Sequence, residues 1–293
     1  MKYEWIFLRE SVKIEIRIKR LEMPMETLTL TILGTGNAAV TKCYNTCFSI
    51  EKGGEHFLVD AGGGNTILAR LEQADIPLQR IHTMFVTHKH IDHILGVIWI
   101  IRMVCQNMKK GKYEGDLTVY GHEEVIGLIR TMCESLLQKS QSELIGSRVH
   151  LMVVDDGTET EVLGHRIQFF DIHSDKANQF GFTFWLNERE KLTCCGDEPY
   201  NQWEEPYARG SKWLMHEAFC LYEHAEEFKP YEKHHSTVKD AAQLAEELKV
   251  QNLILYHTED KNLSRRKELY TAEARGYFSG GIYVPDDLER IIL

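Results

Sequence analysis

The sequence predicts one α/β domain whose strands fall into two clusters, giving two sheets covered by helices. Three observations carry this. From residue 27 onward, strand-like and helix-like stretches follow one another in order; four strand-like stretches run in succession in mid-chain; and no repeat period or low-complexity linker interrupts them. With 293 residues, 43% of them hydrophobic, the chain is long enough to bury a large core.

The elements follow in order. Residues 28–36, LTLTILGTG, alternate β-branched and apolar side chains and stop at glycines, a strand feeding a loop. Residues 46–64 give two strands about a Gly53–Gly54 turn, and their glycine-rich end opens into a helix over 65–75. A short buried strand, IHTMFVTH (81–88), delivers a histidine cluster to its C-terminal end, and a largely buried helix over 91–107 starts there. Residues 116–121 are a strand and 123–140 an amphipathic helix. Four strands come next, over 148–157, 161–173, 179–187 and 191–197. A strand over 213–219, a helix over 237–250, a strand over 252–258 and a basic, polar helix over 262–278 follow. Residues 281–285 and 288–293 close the chain with β character. Residues 1–26 are charged throughout and form an N-terminal extension ahead of the domain, 27–293.

Thirty-four basic against forty-four acidic residues give a net charge of −10. That balance argues against a general nucleic-acid coat, though bound cations could still handle RNA locally. The seven cysteines include no CxxC pair, which predicts reduced thiols in a cytoplasmic protein. The longest apolar run, near ILGVIWIIRMV, is too short to cross a membrane and carries Arg102. The N-terminus offers no apolar leader or small-residue cleavage site, so no membrane association or secretion is expected.

The stretch FVTHKHIDHILG, residues 85–96, puts His88, His90, Asp92 and His93 within six positions. Imidazole and carboxylate suit zinc, and two ions about 3.5–4 Å apart need a larger set with one bridging ligand. His88 and His90 can reach one ion, while Asp92 and His93, at the helix start, can turn toward another. His173, Asp197 and His257 also fall at strand ends, where α/β sites are assembled, and complete a set of seven.

THKHIDH resembles the HxHxDH signature of the metallo-β-lactamase-fold hydrolases, and the chain as a whole resembles their ribonuclease Z-like branch. LGTGNAAVTKCYNT is similar to that branch's opening glycine loop, FLVDAGGGN to its strand-Asp-Gly segment, and HSDKANQFGFTF to its third histidine motif. CCGD, HEAF, HHST and LYHT are similar to its later motifs, in order, so the resemblance spans about residues 28–258. It implies an αββα sandwich, two β-sheets flanked by helices, with the metals at one edge. It further implies that His88, His90 and His173 hold one ion, that Asp92, His93 and His257 hold the other, and that Asp197 bridges them. Zinc is the expected metal, and such ligands also accept manganese or iron. The HxExD variant of redox di-iron relatives is absent, which favours hydrolysis.

The implied chemistry is cleavage of a phosphodiester by a metal-bridging hydroxide, with Asp92 as proton acceptor. His235, backed by Glu217, resembles the pair that serves the leaving oxygen. Two departures bear on the substrate. Only TFWLNEREKLTCC separates the third histidine motif from the Gly-Asp motif, too short for the tRNA-clamping arm of long ribonuclease Z chains. The acidic residue of that branch's GEGT loop is also replaced, in Gly62-Gly63-Gly64-Asn65-Thr66. The expected activity is therefore ribonuclease Z-like phosphodiester cleavage, with tRNA processing as its best-known form. The alternatives are hydrolysis of a small phosphodiester or other ester with no RNA role, or metal binding without turnover. The expected partners are a phosphodiester substrate, with RNA and a second copy of the chain as further candidates.

Overall fold

The computed structural model describes residues 27–293. The N-terminal extension expected over 1–26 lies outside the described residues. Strands β1 (Thr29–Gly34), β2 (Cys47–Lys52), β3 (Glu55–Val59), β4 (Ile81–Phe85), β5 (Leu117–Gly121) and β6 (Val149–Val153) form one sheet. Strands β7 (Glu159–Val162), β8 (His165–Asp171), β9 (Phe180–Trp185), β10 (Lys191–Cys194), β11 (Trp213–Glu217), β12 (Asn252–Tyr256) and β13 (Gly281–Tyr283) form the other. Strand β14 (Arg290–Ile292) returns to the first, so each sheet has seven strands, ordered β14-β1-β2-β3-β4-β5-β6 and β13-β12-β11-β10-β9-β8-β7. In both, an antiparallel stretch gives way to a parallel one, after β3 in the first and after β10 in the second.

The helices are α1 (Thr66–Gln73), α2 (Ile91–Lys109), α3 (Glu123–Leu136), α4 (Lys139–Ser142), α5 (Glu205–Ala208), α6 (Ala225–Phe228), α7 (Val238–Glu247) and α8 (Arg266–Arg275). Alternation along the strands sorts side chains between two faces. Leu30, Ile32, Phe48, Phe57, Phe85, Phe169, Phe182 and Ile254 meet between the sheets. Phe182 sits centrally there, with its ring 5.8 Å from those of both Phe57 and Phe85. The opposite faces pack on helices: Leu33, Leu58 and Met84 against α1 and α2, and Leu214, Leu253 and Leu255 against α7 and α8. The result is a four-layer αββα sandwich.

Three elements depart from the sequence reading. Residues 161–173 are two strands, since Leu163 and Gly164 both take positive φ (54° and 74°) and turn the chain into a hairpin. The helix expected over 123–140 stops at Leu136; Leu137 and Gln138 are extended, and Gln138 with Gln141 caps α4. Arg266, in the basic, polar helix expected over 262–278, is only 1% exposed.

Candidate metal centre

Strand ends and one close helix contact assemble the site. The α2 N-terminus follows β4 directly, with His90 as its extended cap and Asp92 and His93 in its first turn. Gly96 sets the depth of this helix. Its amide donates to Gly62 O at 2.8 Å, and a Cβ at Gly96 would lie 1.8 Å from Ala61 O, so only glycine permits the approach. Asp60 and His257, at the ends of β3 and β12, hold φ of 54° and 57°, a left-handed conformation that side chains rarely adopt.

His88, His90 and Asp197 form one group of potential ligands, and Asp92, His93 and His257 another; within each, the ligand atoms lie within 4.8 Å of one another. Oδ2 of Asp197 lies between the groups, 3.6 Å from His88 Nε2, 3.3 Å from His93 Nε2 and 3.4 Å from His257 Nε2. Its other oxygen accepts from Gln179 Nε2 at 2.5 Å.

The hydrogen bonds behind the rings place a proton on Nδ1 of His88, His257 and His93. The Thr87 hydroxyl donates to Asp60 Oδ2 (2.8 Å), so at 2.9 Å from His88 Nδ1 it must accept. The Thr46 hydroxyl donates to Gly36 O (3.1 Å), so at 3.0 Å it accepts from His257 Nδ1. His93 Nδ1 donates to Asp60 Oδ2 at 2.8 Å. His88 and His257 therefore turn an Nε2 lone pair toward one carboxylate oxygen, His88 Nε2 also meeting His90 Nδ1 at 2.8 Å, and His93 Nε2 faces the same oxygen, buried with no hydrogen-bond partner. Lone pairs facing a carboxylate repel unless a cation lies between them. This donor set fits two divalent cations, with Asp60, Thr87 and Thr46 orienting the rings from behind.

The electrostatics agree in direction for His88, His257 and Asp197; burial would lower His93 too, but Asp60, Asp92 and Asp197 together raise it well above the ordinary histidine range. Burial drives His88 well below the ordinary histidine range and lowers His257. Burial would raise Asp197, but His88, His257 and His93 together hold it well below the usual carboxylate range. His88, His257 and Asp197 are thus kept in the deprotonated form that binds metal, and the carboxylates around His93 would hold a cation in place of its extra proton.

His173 does not join either group. It sits past the end of β8 with φ of 53°; its amide donates to Asp171 Oδ1 (2.7 Å), and its half-exposed ring rests 5.1 Å from that of Trp203. The left-handed turn and the Asp171 bond direct its side chain outward. His235 lies 5.2 Å from His257, ring to ring, and stacks on Phe219 at 4.8 Å and 9°. Burial and the neighbouring His257 lower its pKa to about 3. Its Nδ1 stands 3.6 Å from Glu217 Oε2, and both atoms lack a hydrogen-bond partner. Burial raises Glu217 well above the ordinary carboxylate range, while its other oxygen accepts from the Ser236 amide. The orienting residues Thr46, Thr87 and Gln179 have no signature in the sequence. Asp60 lies in the strand-Asp-Gly segment FLVDAGGGN, from which no orienting role was expected.

A cavity of about 620 Å³ opens over both groups and is lined by His90, Asp92, Asp197, His235 and His257. Its walls add Ala38, Ala39, Ile91 and Phe219, and Lys89, Lys176 and Lys233 bring positive charge to it.

This fold and site define a metallohydrolase of the metallo-β-lactamase fold. The structure is similar to YhfI from Bacillus subtilis, a metallo-β-lactamase-fold protein (TM-score 0.73, 17% identity, 91% of this chain and 100% of that one). It is also similar to the short form of human tRNase Z (TM-score 0.68, 19% identity, 90% and 98%). In sequence, the chain is 24% identical to ribonuclease Z of Thermococcus sibiricus, over 91% of this chain and 96% of the relative. The chain belongs to the Anti-Pycsar protein Apyc1 family, whose model matches residues 28–274. Among the described residues no helix is long and apolar enough to cross a membrane, and all seven cysteines are free thiols.

Proposed function

We propose that this protein is a dinuclear metal-dependent phosphodiesterase acting on a small phosphodiester, a cyclic nucleotide above all. The observation that carries the reading is the convergence of three imidazole Nε2 atoms on Asp197 Oδ2 beneath a cavity. His88, His90 and Asp197 would hold one ion and Asp92, His93 and His257 the other, with Asp197 shared. Zinc fits these nitrogen and oxygen donors, as do manganese and iron. When bound, two such ions lower the pKa of water and neutralise phosphate oxygens.

The chain's own residues supply the rest. Lys89, Lys176 and Lys233 attract the anionic ester into the cavity. Asp92, which lines the cavity, would take the proton of the attacking water. His235 is placed to hydrogen-bond the departing oxygen, with Glu217 behind its Nδ1. Ala38, Ala39, Ile91 and Phe219 give the cavity an apolar side suited to a flat base. Membership of the Anti-Pycsar family supports the cyclic nucleotide, and the likeness to ribonuclease Z supports phosphodiester cleavage.

Precursor tRNA is the second reading, favoured by that same likeness. The hairpin between β9 and β10 runs only from Trp185 to Lys191, leaving no space for a clamping arm, and the net charge of −10 opposes a long polyanion. Metal-loaded protein should be assayed against cyclic nucleotides, bis(4-nitrophenyl) phosphate and unprocessed tRNA. We expect turnover of the first two and weak, salt-sensitive binding of the third. Efficient tRNA cleavage would favour the second reading, and no turnover of any ester would leave a metal-binding protein.

A further inference from the structure

The wall of the cavity opposite the α2 N-terminus is the loop between β1 and β2, of which Asn37, Ala38 and Ala39 face the cavity. Much of this loop is held by groups far along the chain rather than by ladder bonds of its own. Thr258 O accepts both the amide of Asn37 (3.0 Å) and its side-chain Nδ2 (3.2 Å). Asn37 Oδ1 in turn accepts from the Ala39 amide at 2.8 Å. The side chain of Asn37 is therefore spent inside the loop, and what the loop presents are two exposed alanines.

Past the alanines, Asp260 holds the loop at Thr41 and Lys42, and Asp287 Oδ2 holds it further on at the Tyr44 amide (2.7 Å). Asp260 Oδ2 accepts from the amides of both Thr41 (2.7 Å) and Lys42 (2.9 Å), and Lys42 Nζ returns to Asp260 O at 3.1 Å. Charge-assisted bonds of this kind are about twice as strong as neutral ones. Asp260 belongs to a short rail, residues 257–260, that touches each part of the site in turn. His257 faces Asp197, Thr258 holds Asn37, the Glu259 amide donates to Phe219 O at 2.8 Å, and Asp260 holds Thr41 and Lys42. The same rail thus sets the alanine wall, the Phe219 wall and one metal-facing histidine in a common frame.

We infer that Asp260 is a positioning residue that holds Ala38 and Ala39 at the distance from Ile91 and Phe219 that a flat base requires. It touches neither the metal groups nor the cavity, so it acts through the loop alone. The inference rests on the phosphodiesterase reading for its substrate, but the clamp itself can be tested without turnover.

The test uses the full metal-loaded chain and the variants Asp260→Ala and Asp260→Asn. In Asp260→Ala, hydrogen exchange at the Thr41 and Lys42 amides should quicken while metal content stays that of the parent. KM for cyclic AMP should rise roughly tenfold with kcat within about twofold, as expected when binding geometry rather than chemistry is loosened. KM for the base-free ribose 3′,5′-cyclic phosphate should barely move. Asp260→Asn keeps an acceptor oxygen and should recover most of both effects. Unchanged amide exchange in Asp260→Ala would overturn the clamp. Equal losses on the two esters would overturn its role toward the base. If the parent turns over neither ester, the phosphodiesterase reading falls, and amide exchange still decides the clamp.

Discussion

The carboxylate of Asp60 accepts a hydrogen bond from His93 Nδ1 at 2.8 Å and so turns that ring's Nε2 toward Asp92 and Asp197. The same carboxylate accepts the Thr87 hydroxyl on which His88 rests. One buried acid thereby orients an imidazole in each of the two groups. Replacing it with alanine should weaken metal affinity by about 10- to 100-fold. Competition against a chromogenic chelator measures this, and parental affinity in Asp60→Ala would show that the rings need no such support.

The purified protein should carry close to two transition ions per chain, and the double variant His88→Ala with His90→Ala should lose occupancy on elemental analysis. His173→Ala should weaken binding less than His88→Ala, because its ring is turned to Trp203 and away from the cluster. Equal losses would instead mean that the His173 loop closes onto an ion when metal is present. Retention of both ions in the double variant would remove the assignment altogether.

His235 can be probed through the leaving group. His235→Ala should cut turnover strongly on an ester whose departing oxygen is a poor leaving group. It should matter little for 4-nitrophenolate, which needs no proton to depart. Comparing the two esters at matched metal content separates this role from a packing role against Phe219, for which the losses would be equal.

A buried acid away from the cavity predicts a pH effect on stability. Glu204 is fully buried, and burial raises its pKa to about 8; Oε1 accepts from the Asn201 amide, while Oε2 has no partner. Between the ordinary glutamate range and pH 8, the folded chain keeps a proton that the unfolded chain releases. Stability is therefore fully present at low pH and declines as pH rises through this window, by up to about 1.4 kcal/mol per unit. Glu204→Gln stays neutral and should not show that decline. Urea midpoints at pH 5 and pH 8 should thus diverge in favour of the variant at the higher pH; a gap that stays constant would refute the assignment.

Much of this architecture was legible in the chain. Period-two alternation and terminal glycines located most strands, because burial on a pleated sheet imposes that pattern directly. The HKHIDH spacing drew attention to four side chains that one strand end and one helix start bring together. What was hidden depends on distant partners. The break after Leu136 falls within a run of good helix formers, and the Leu163–Gly164 turn lies inside an otherwise strand-like stretch. Arg266 reads as surface charge in sequence, yet it is buried and donates to Thr35, Thr258 and the Pro285 carbonyl. Thr46 and Thr87 orient histidines only because the fold places an acceptor behind each hydroxyl, and nothing in their neighbours announces it.

The pairing of β14 with β1 has a consequence for how the molecule is made. Thr29 pairs with Ile292, so among the described residues that flank of β1 has no strand beside it until residues 290–292 have been made. During that interval the nascent protein exposes an open strand edge, a template for joining to other chains. A variant lacking residues 290–292 would leave β1 without the partner strand it has on that flank. Such a product should form its cavity-lining segments and still accumulate in inclusion bodies.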